Sequence, residues 1–351
     1  RGCAGFKGTG TNRVILSGNK KQRVSFDNPR VNSSQFNILE ITNTSVEGVS
    51  FETNAVVKEF LPTNTPLANI KRVSFAENAK VINNLWPYNM GIHQGWKLQQ
   101  DLQIEGDLNL QDWGALDCNG RNVTVKGNVT VAVGTINLNG GTLTVEGDFD
   151  MAMHSAYVQV NGGTLIVKGN ITVGTGSLSV GSGKIVAEKD LRIQSKSVGA
   201  NNQVTYTSSN GGQLLLDNEA GYVTVGGDFV VEGLADTTYS MGTLEVKGDF
   251  IQKQVYSSWM YRGCAGFKGT GTNRVILSGN KKQRVSFDNP QVNNSQFNIL
   301  EIVNSSEEGV IFETKVVIIR RFIHNGHRFM APENSVFPDF DNDGILDNQD
   351  M

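Results

Sequence analysis

The chain has 351 residues, 19% of them charged, with a formal net charge of -3. That balance, with no Lys/Arg-rich run, excludes a strong field for nucleic acid or an anionic membrane surface, and no apolar run approaches the roughly 18 residues of a membrane span. Gly is abundant at 40 residues and Pro scarce at 7, so a turn-rich, all-β protein with room for a sizeable core is expected.

The opening RGCAGFKG has neither an initiator Met nor a charged-then-apolar leader, and reads as the start of a processed product or a fragment. Arg1 to Pro29 recurs letter for letter at Arg262 to Pro290, an offset of 261 residues, and the likeness continues as SQFNILEI in both copies. Such identity marks a recent duplication, so the chain reads as one full period of a longer array and part of another. Within residues 1–82 the phrases RVSFDN, GVSFET and RVSFAEN begin at Arg23, Gly48 and Arg72, a spacing that implies wound coils. Residues 83–100, NNLWPYNMGIHQGWKLQQ, break this cadence and are expected to be an inserted loop. Trp86, Tyr88 and Trp96, with Trp113 just beyond, could form a sugar-stacking platform there, or could plug the loop against the body of the protein.

Across residues 101–261 a finer repeat takes over. LQIEGDLNL, VTVKGNVTV, LTVEGDFDM, LIVKGNITV, IVAEKDLRI, VTYTSSN, VTVGGDFVV and LEVKGDFIQ begin at Leu102, Val123, Leu143, Leu165, Ile185, Val204, Val223 and Leu244. Each alternates apolar and other residues, as a strand with one buried face does, and each is followed by turn residues. The residue before the recurring Gly runs Glu105, Lys126, Glu146, Lys168, Glu188, then Thr207, Gly226 and Lys247. Two residues later the order is Asp107, Asn128, Asp148, Asn170, Asp190, then Ser209, Asp228 and Asp249. In a parallel stack, equivalent residues lie about 4.8 Å apart, where like charges repel by roughly 1 kcal/mol even in a water-like dielectric. Alternating sign removes that repulsion at every step, so the first column is expected to be a structural charge ladder between successive coils.

This cadence resembles the right-handed parallel β-helices and related β-solenoids of bacterial surface and secreted, adhesin-like proteins. The resemblance implies a right-handed parallel β-helix with coils of about 19–25 residues. The second copy, residues 262–325, is expected to be solenoidal in the same way.

Residues 326–351 are expected to be a linker. PDFDNDGILDNQD supplies oxygen ligands at Asp339, Asp341 and Asp343, a Gly for the tight turn, the Ile345 carbonyl, then Asp347 and Asp350. That is calcium-loop spacing, and five carboxylates in twelve residues would repel strongly without a cation. Pro332 and Pro338 argue against an EF-hand helix before it. The pattern is similar to a thrombospondin type 3 repeat, which implies calcium as the bound cofactor and a linker that stiffens on binding; only one such unit is present.

Catalytic signals are weak. His93, His154, His324 and His327 are scattered, no Ser-nucleophile, P-loop or Cys-His metal pattern occurs, and three cysteines (Cys3, Cys118, Cys264) are too few for a disulfide framework. The expectation is therefore a non-enzymatic extracellular or cell-surface stalk, structural or adhesive. Its expected partners are other copies of the repeat or of the chain end to end, and a cell-surface glycan, with neither nucleic acid nor membrane insertion. The alternatives are a glycan-binding module using the Trp cluster, and a polysaccharide-degrading enzyme on a β-helix.

Overall fold

A computed structural model describes residues 6–27, 34–53, 55–61, 67–68, 73–81, 85–86, 90–92, 95–98, 100–111, 113–152, 155–233, 237–254 and 266–338. These are all-β, without a helix, and parallel strands stack into a β-solenoid of about 12 turns in all. The chain divides into two compact units, Arg1–Gly147 and Asp148–Met351.

The first unit opens with two parallel stacks. Arg13–Leu16, Phe36–Ile41, Ala55–Leu61 and Val73–Val81 form one, and Gln22–Val24, Val49–Phe51 and Leu67–Ala68 the other. Three stacks follow, so that each coil contributes three short strands. Leu85–Trp86, Leu102–Ile104, Asn122–Val125 and Thr142–Val145 build the first; Met90–Ile92, Leu108–Leu110 and Val129–Val131 the second; Gly95–Lys97, Gly114–Asp117 and Gly134–Asn137 the third. Leu102 pairs with Val123 and Val123 with Leu143, in the register read from the repeat.

Residues 83–100 are not an inserted loop where they are described. Leu85–Trp86 pairs in parallel with Gln103–Ile104, Met90–Ile92 with Leu108–Leu110, and Gly95–Lys97 with Ala115–Asp117. The described strands of this stretch stack as rungs of the solenoid. They are two or three residues long, too short to show alternation between the Trp, Pro and Gly residues that break the cadence.

In the second unit, Thr164–Val167, Lys184–Ala187, Tyr222–Val225, Thr243–Val246, Arg274–Leu277, Phe297–Ile302 and Ile318–Ile323 stack in parallel. A second stack begins at Phe149–Met151 and Ile171–Val173 and ends at Phe329–Met330, and Val336 bridges Val317, so the expected linker of residues 326–351 is solenoidal at these positions. Ile185 pairs with Val223, not with Val204. Val204–Ser208 instead turns back antiparallel on Leu191–Val198, with Val198 opposite Val204 and Gln194 opposite Ser208. The phrase at Val204 is thus the return strand of a hairpin inserted in one long coil. Its alternating VTYTS satisfies period 2, which does not distinguish a stacked rung from a hairpin arm.

Core and turns follow from the same pattern. Inward residues such as Leu143, Val145, Leu165, Val167, Ile185, Val223, Leu244, Val275 and Leu300 are fully buried, while those between them are half-exposed. Coils turn at Asn-Gly pairs, as at Asn139 and Gly140 with φ of 47° and 83°, where Gly141 N–H donates to the Leu138 carbonyl at 2.8 Å. In the second unit the core becomes aromatic. Phe250 lies 5.2, 5.1 and 5.0 Å by ring centroid from Phe229, Phe267 and Phe297, and Tyr239 stacks on Phe267 at 4.4 Å.

Candidate functional site

The polar columns along the coils are the best-defined chemistry of the molecule. Lys126 Nζ lies 3.9 Å from Glu146 Oε1, one coil apart, as the charge ladder requires. Glu105, at the preceding rung, accepts from the amide of Gln103, two residues before it. Lys168 and Glu188 occupy equivalent positions one coil apart, since Val167 pairs with Ala187 and Glu188 N–H donates to the Val167 carbonyl at 2.9 Å.

The Asp/Asn column has a different basis from the one its sequence implies. In each unit the side-chain Oδ1 accepts the backbone N–H of the residue at the same position in the next coil. In the first unit Asn128 N–H meets Asp107 at 2.7 Å. In the second, Asn170 N–H meets Asp148 at 2.9 Å, Asp190 N–H meets Asn170 at 3.4 Å, Asp228 N–H meets Asp190 at 2.9 Å, Asp249 N–H meets Asp228 at 2.8 Å and Arg284 N–H meets Asp249 at 2.7 Å. Asp and Asn interchange because either supplies that acceptor oxygen. The recurring Gly beside them has its own cause: a Cβ on Gly127 would lie 2.2 Å from Asp107 Oδ1. Ser209 does not belong to the column, since the hairpin takes it out of register and Asp228 follows Asp190 directly.

Three carboxylates therefore stack in succession at Asp190, Asp228 and Asp249. Burial, and then repulsion from Asp190 and Asp249, raises the Asp228 carboxyl above its ordinary value, against the opposing Asp249 N–H bond and the Arg192 charge. Arg192 relieves the stack at one end, its guanidinium 2.6 Å from Asp190 Oδ2 and lying over the Tyr206 ring at 4.8 Å.

The hairpin brings the densest set of charges together. Lys196 Nζ lies 3.0 Å from Asp150 Oδ2 and 3.2 Å from Asp148 Oδ2. Burial works to raise the Asp148 carboxyl, but the Asn170 N–H and Lys196 override it and hold it below its ordinary value; burial likewise opposes the Lys196 ammonium, and Asp150 and Asp148 raise it regardless. Glu232 accepts from Gln194 at 2.7 Å and from Ser208 at 3.0 Å, and Lys253 lies 3.5 Å away. The cluster fastens the hairpin to the stacked strands. Sequence reading missed it because Lys196 and Asp148 are 48 residues apart and meet only through the hairpin.

The aromatic candidates do not form one platform. Trp96 is 2% exposed and faces the core in register with Leu116, whereas Trp113 is 71% exposed with φ of 67°. Trp86 sits in the strand Leu85–Trp86 and its side chain, like all of Tyr88, lies outside the described residues. The calcium-loop residues Asp339, Asp341, Asp343, Ile345, Asp347 and Asp350 also lie outside them, as do Cys3 and Cys264. Cys118 is buried, and burial, with the Asp117 charge, pushes its thiol up to about 12, far from a reactive thiolate. Of the histidines, His327 Nδ1 contacts the Asn304 carbonyl at 2.9 Å and His324 stacks on Phe322. Among the described residues no group of three or more His, Cys, Asp or Glu is placed to hold a metal ion.

Comparison with family models, with curated proteins and with solved structures finds no match for this chain.

Proposed function

We propose that this chain is a non-enzymatic structural or adhesive stalk of the extracellular surface, a segment of a longer repeat array with a calcium-stiffened C-terminal linker. One observation carries the reading: the prominent carboxylates are engaged in fastening coil to coil. Lys126 meets Glu146, Lys196 joins Asp148 and Asp150, and the Oδ1 atoms from Asp148 to Asp249 accept N–H groups of the next coil. Hydrolysis of a polysaccharide would instead call for a pair of carboxyl groups facing the substrate from either side of the scissile bond.

The donor set at Asp339, Asp341, Asp343, Asp347 and Asp350, with the Ile345 carbonyl, is made of hard oxygens and suits calcium at extracellular concentrations. Calorimetric titration of the full chain is expected to show calcium binding that Asp343→Asn weakens. No heat of binding would remove the cofactor from this reading.

The decisive functional test is a panel of acidic and neutral polysaccharides. Neither cleavage nor retardation in polysaccharide gels is expected of a structural stalk. Cleavage would make the chain an enzyme. Retardation abolished by Trp113→Ala would favour the glycan-binding reading, which the exposure of Trp113 supports.

A further inference from the structure

Residues 6–27 and 267–288 have the same sequence and are found in two environments. On one side those environments correspond in strand register and in their main side-chain contacts. Val14 pairs with Leu39 as Val275 does with Leu300, Arg13 bridges Glu40 as Arg274 bridges Glu301, and Asn43 donates to Gln22 at 2.8 Å as Asn304 does to Gln283 at 3.1 Å.

On the other side they differ. The second copy lies against the coil of residues 237–254, with Leu244 paired to Val275, Val246 to Leu277 and Phe250 to Val285. Arg274 N–H donates to the Gly242 carbonyl at 3.0 Å and Ser278 N–H to Val246 at 2.9 Å; the Gln283 amide reaches the Val246 and Gly248 carbonyls at 2.8 and 2.6 Å, and Ser278 Oγ reaches Glu245 at 2.7 Å. In the first copy, Arg13–Leu16 and Gln22–Val24 are end strands of their sheets among the described residues. Ile15 is 51% exposed and Phe6 38%, while Phe267, the counterpart of Phe6, is fully buried against Phe250.

We infer that the edge formed by Arg13–Leu16 and Gln22–Val24 is a docking site for a second copy of the coil that residues 237–254 form, supplied by a neighbouring repeat of a tandem array. The same side-chain and backbone donors that hold this coil in the second copy are present in the first. A chain docking end to end through Ile318–Ile323 fits worse. Arg321 pairs with Ile299, and Ile299 with Arg274, so continuing that column would set Arg13 on Arg321. The inference rests on the repeat-array part of the proposed function.

Glu245 lies opposite Ile276, the counterpart of Ile15, so cysteines at 15 and 245 would sit across adjacent parallel strands. The test uses the full chain carrying Cys3→Ser, Cys264→Ser and Ile15→Cys, with a peptide of residues 237–254 carrying Glu245→Cys. Under a glutathione buffer the mixed disulfide is expected to form about tenfold faster than with a scrambled peptide, and Val14→Asp should remove the difference.

A second measurement removes the peptide's own disorder. The same chain is extended before Arg1 by another copy of residues 148–261 carrying Glu245→Cys, and an internal disulfide is expected to close. Equal rates for both peptides together with an open extended chain would overturn the inference, as would Ile15→Cys chains that dimerise faster than they react with the peptide. Those outcomes leave the polysaccharide and calcium results untouched, and cleavage of a polysaccharide would likewise leave the disulfide result standing.

Discussion

At the scale of a residue, Asp228 shows how one side chain can serve the stack and strain it. Its Oδ1 accepts Asp249 N–H at 2.8 Å, yet its carboxylate sits half-buried between Asp190 and Asp249. Because its folded pKa is raised, the unfolded chain loses this proton first as pH climbs from the ordinary carboxylate value. The contribution to stability then falls until the folded group has also ionised. Asp148 behaves in the opposite sense: its pKa is lowered, so its contribution is present above the ordinary value and lost as pH falls through the folded one. Asp228→Asn keeps the acceptor oxygen and removes the repulsion. It is expected to stabilise the protein by roughly 0.5 kcal/mol at neutral pH, with an advantage that shrinks toward acid. Urea unfolding across that pH range reads both; a variant less stable than the parent at neutral pH would show that the stacked carboxylates do not repel. The alternating column was legible in the sequence, because equal spacing and exchange of Asp with Asn are visible there. Its cause was not, since a side chain accepting a backbone N–H from another coil leaves no mark beyond the residue type.

Among the elements, the inserted hairpin departs from the parallel stacking of the second unit and carries its own charge cluster. Leu191 begins as a rung, paired with Ile171 and Phe229, and the same strand runs on to Val198 as a hairpin arm. Lys196 fastens that arm through Asp148 and Asp150. Lys196→Met would leave two half-buried carboxylates facing each other without their shared ammonium. The expected cost is about 1–2 kcal/mol, less than for a fully buried pair, with faster proteolysis in the exposed turn at residues 199–203 and recovery in Lys196→Arg. Unchanged cleavage of that turn would show that the hairpin is held by its backbone pairing alone. Neither this hairpin nor the rungs within residues 83–100 were readable from the cadence. Val204 falls at the expected step only because the hairpin adds nearly a coil's length, and Trp96 stays open between surface platform and plug in the sequence because a three-residue strand offers no periodicity to place it.

For the molecule as a whole, the two identical segments provide a comparison in which sequence is constant and only neighbours vary. Local propensity, intrinsic strand preference and unfolded-state behaviour are the same for residues 6–27 and 267–288, so any difference in sensitivity to mutation comes from the coils stacked on them. Leu277 is fully buried between Val246 and Ile302, whereas Leu16 pairs with Ile41 and is half-exposed. Leu277→Ala removes a core side chain with strands on both sides and is expected to cost about 2–4 kcal/mol. Leu16→Ala removes one packed from a single side and should cost about 1 kcal/mol. Unfolding in urea at low protein concentration, followed by segment-specific proteolysis, gives the two values. Equal costs at all concentrations would mean that the edge at Arg13–Leu16 is already covered within the chain. A cost at Leu16 that rises toward that at Leu277 with protein concentration would mean that molecules cover it for one another. An unequal pair that stays unequal is the result expected for an edge awaiting the next coil of an array.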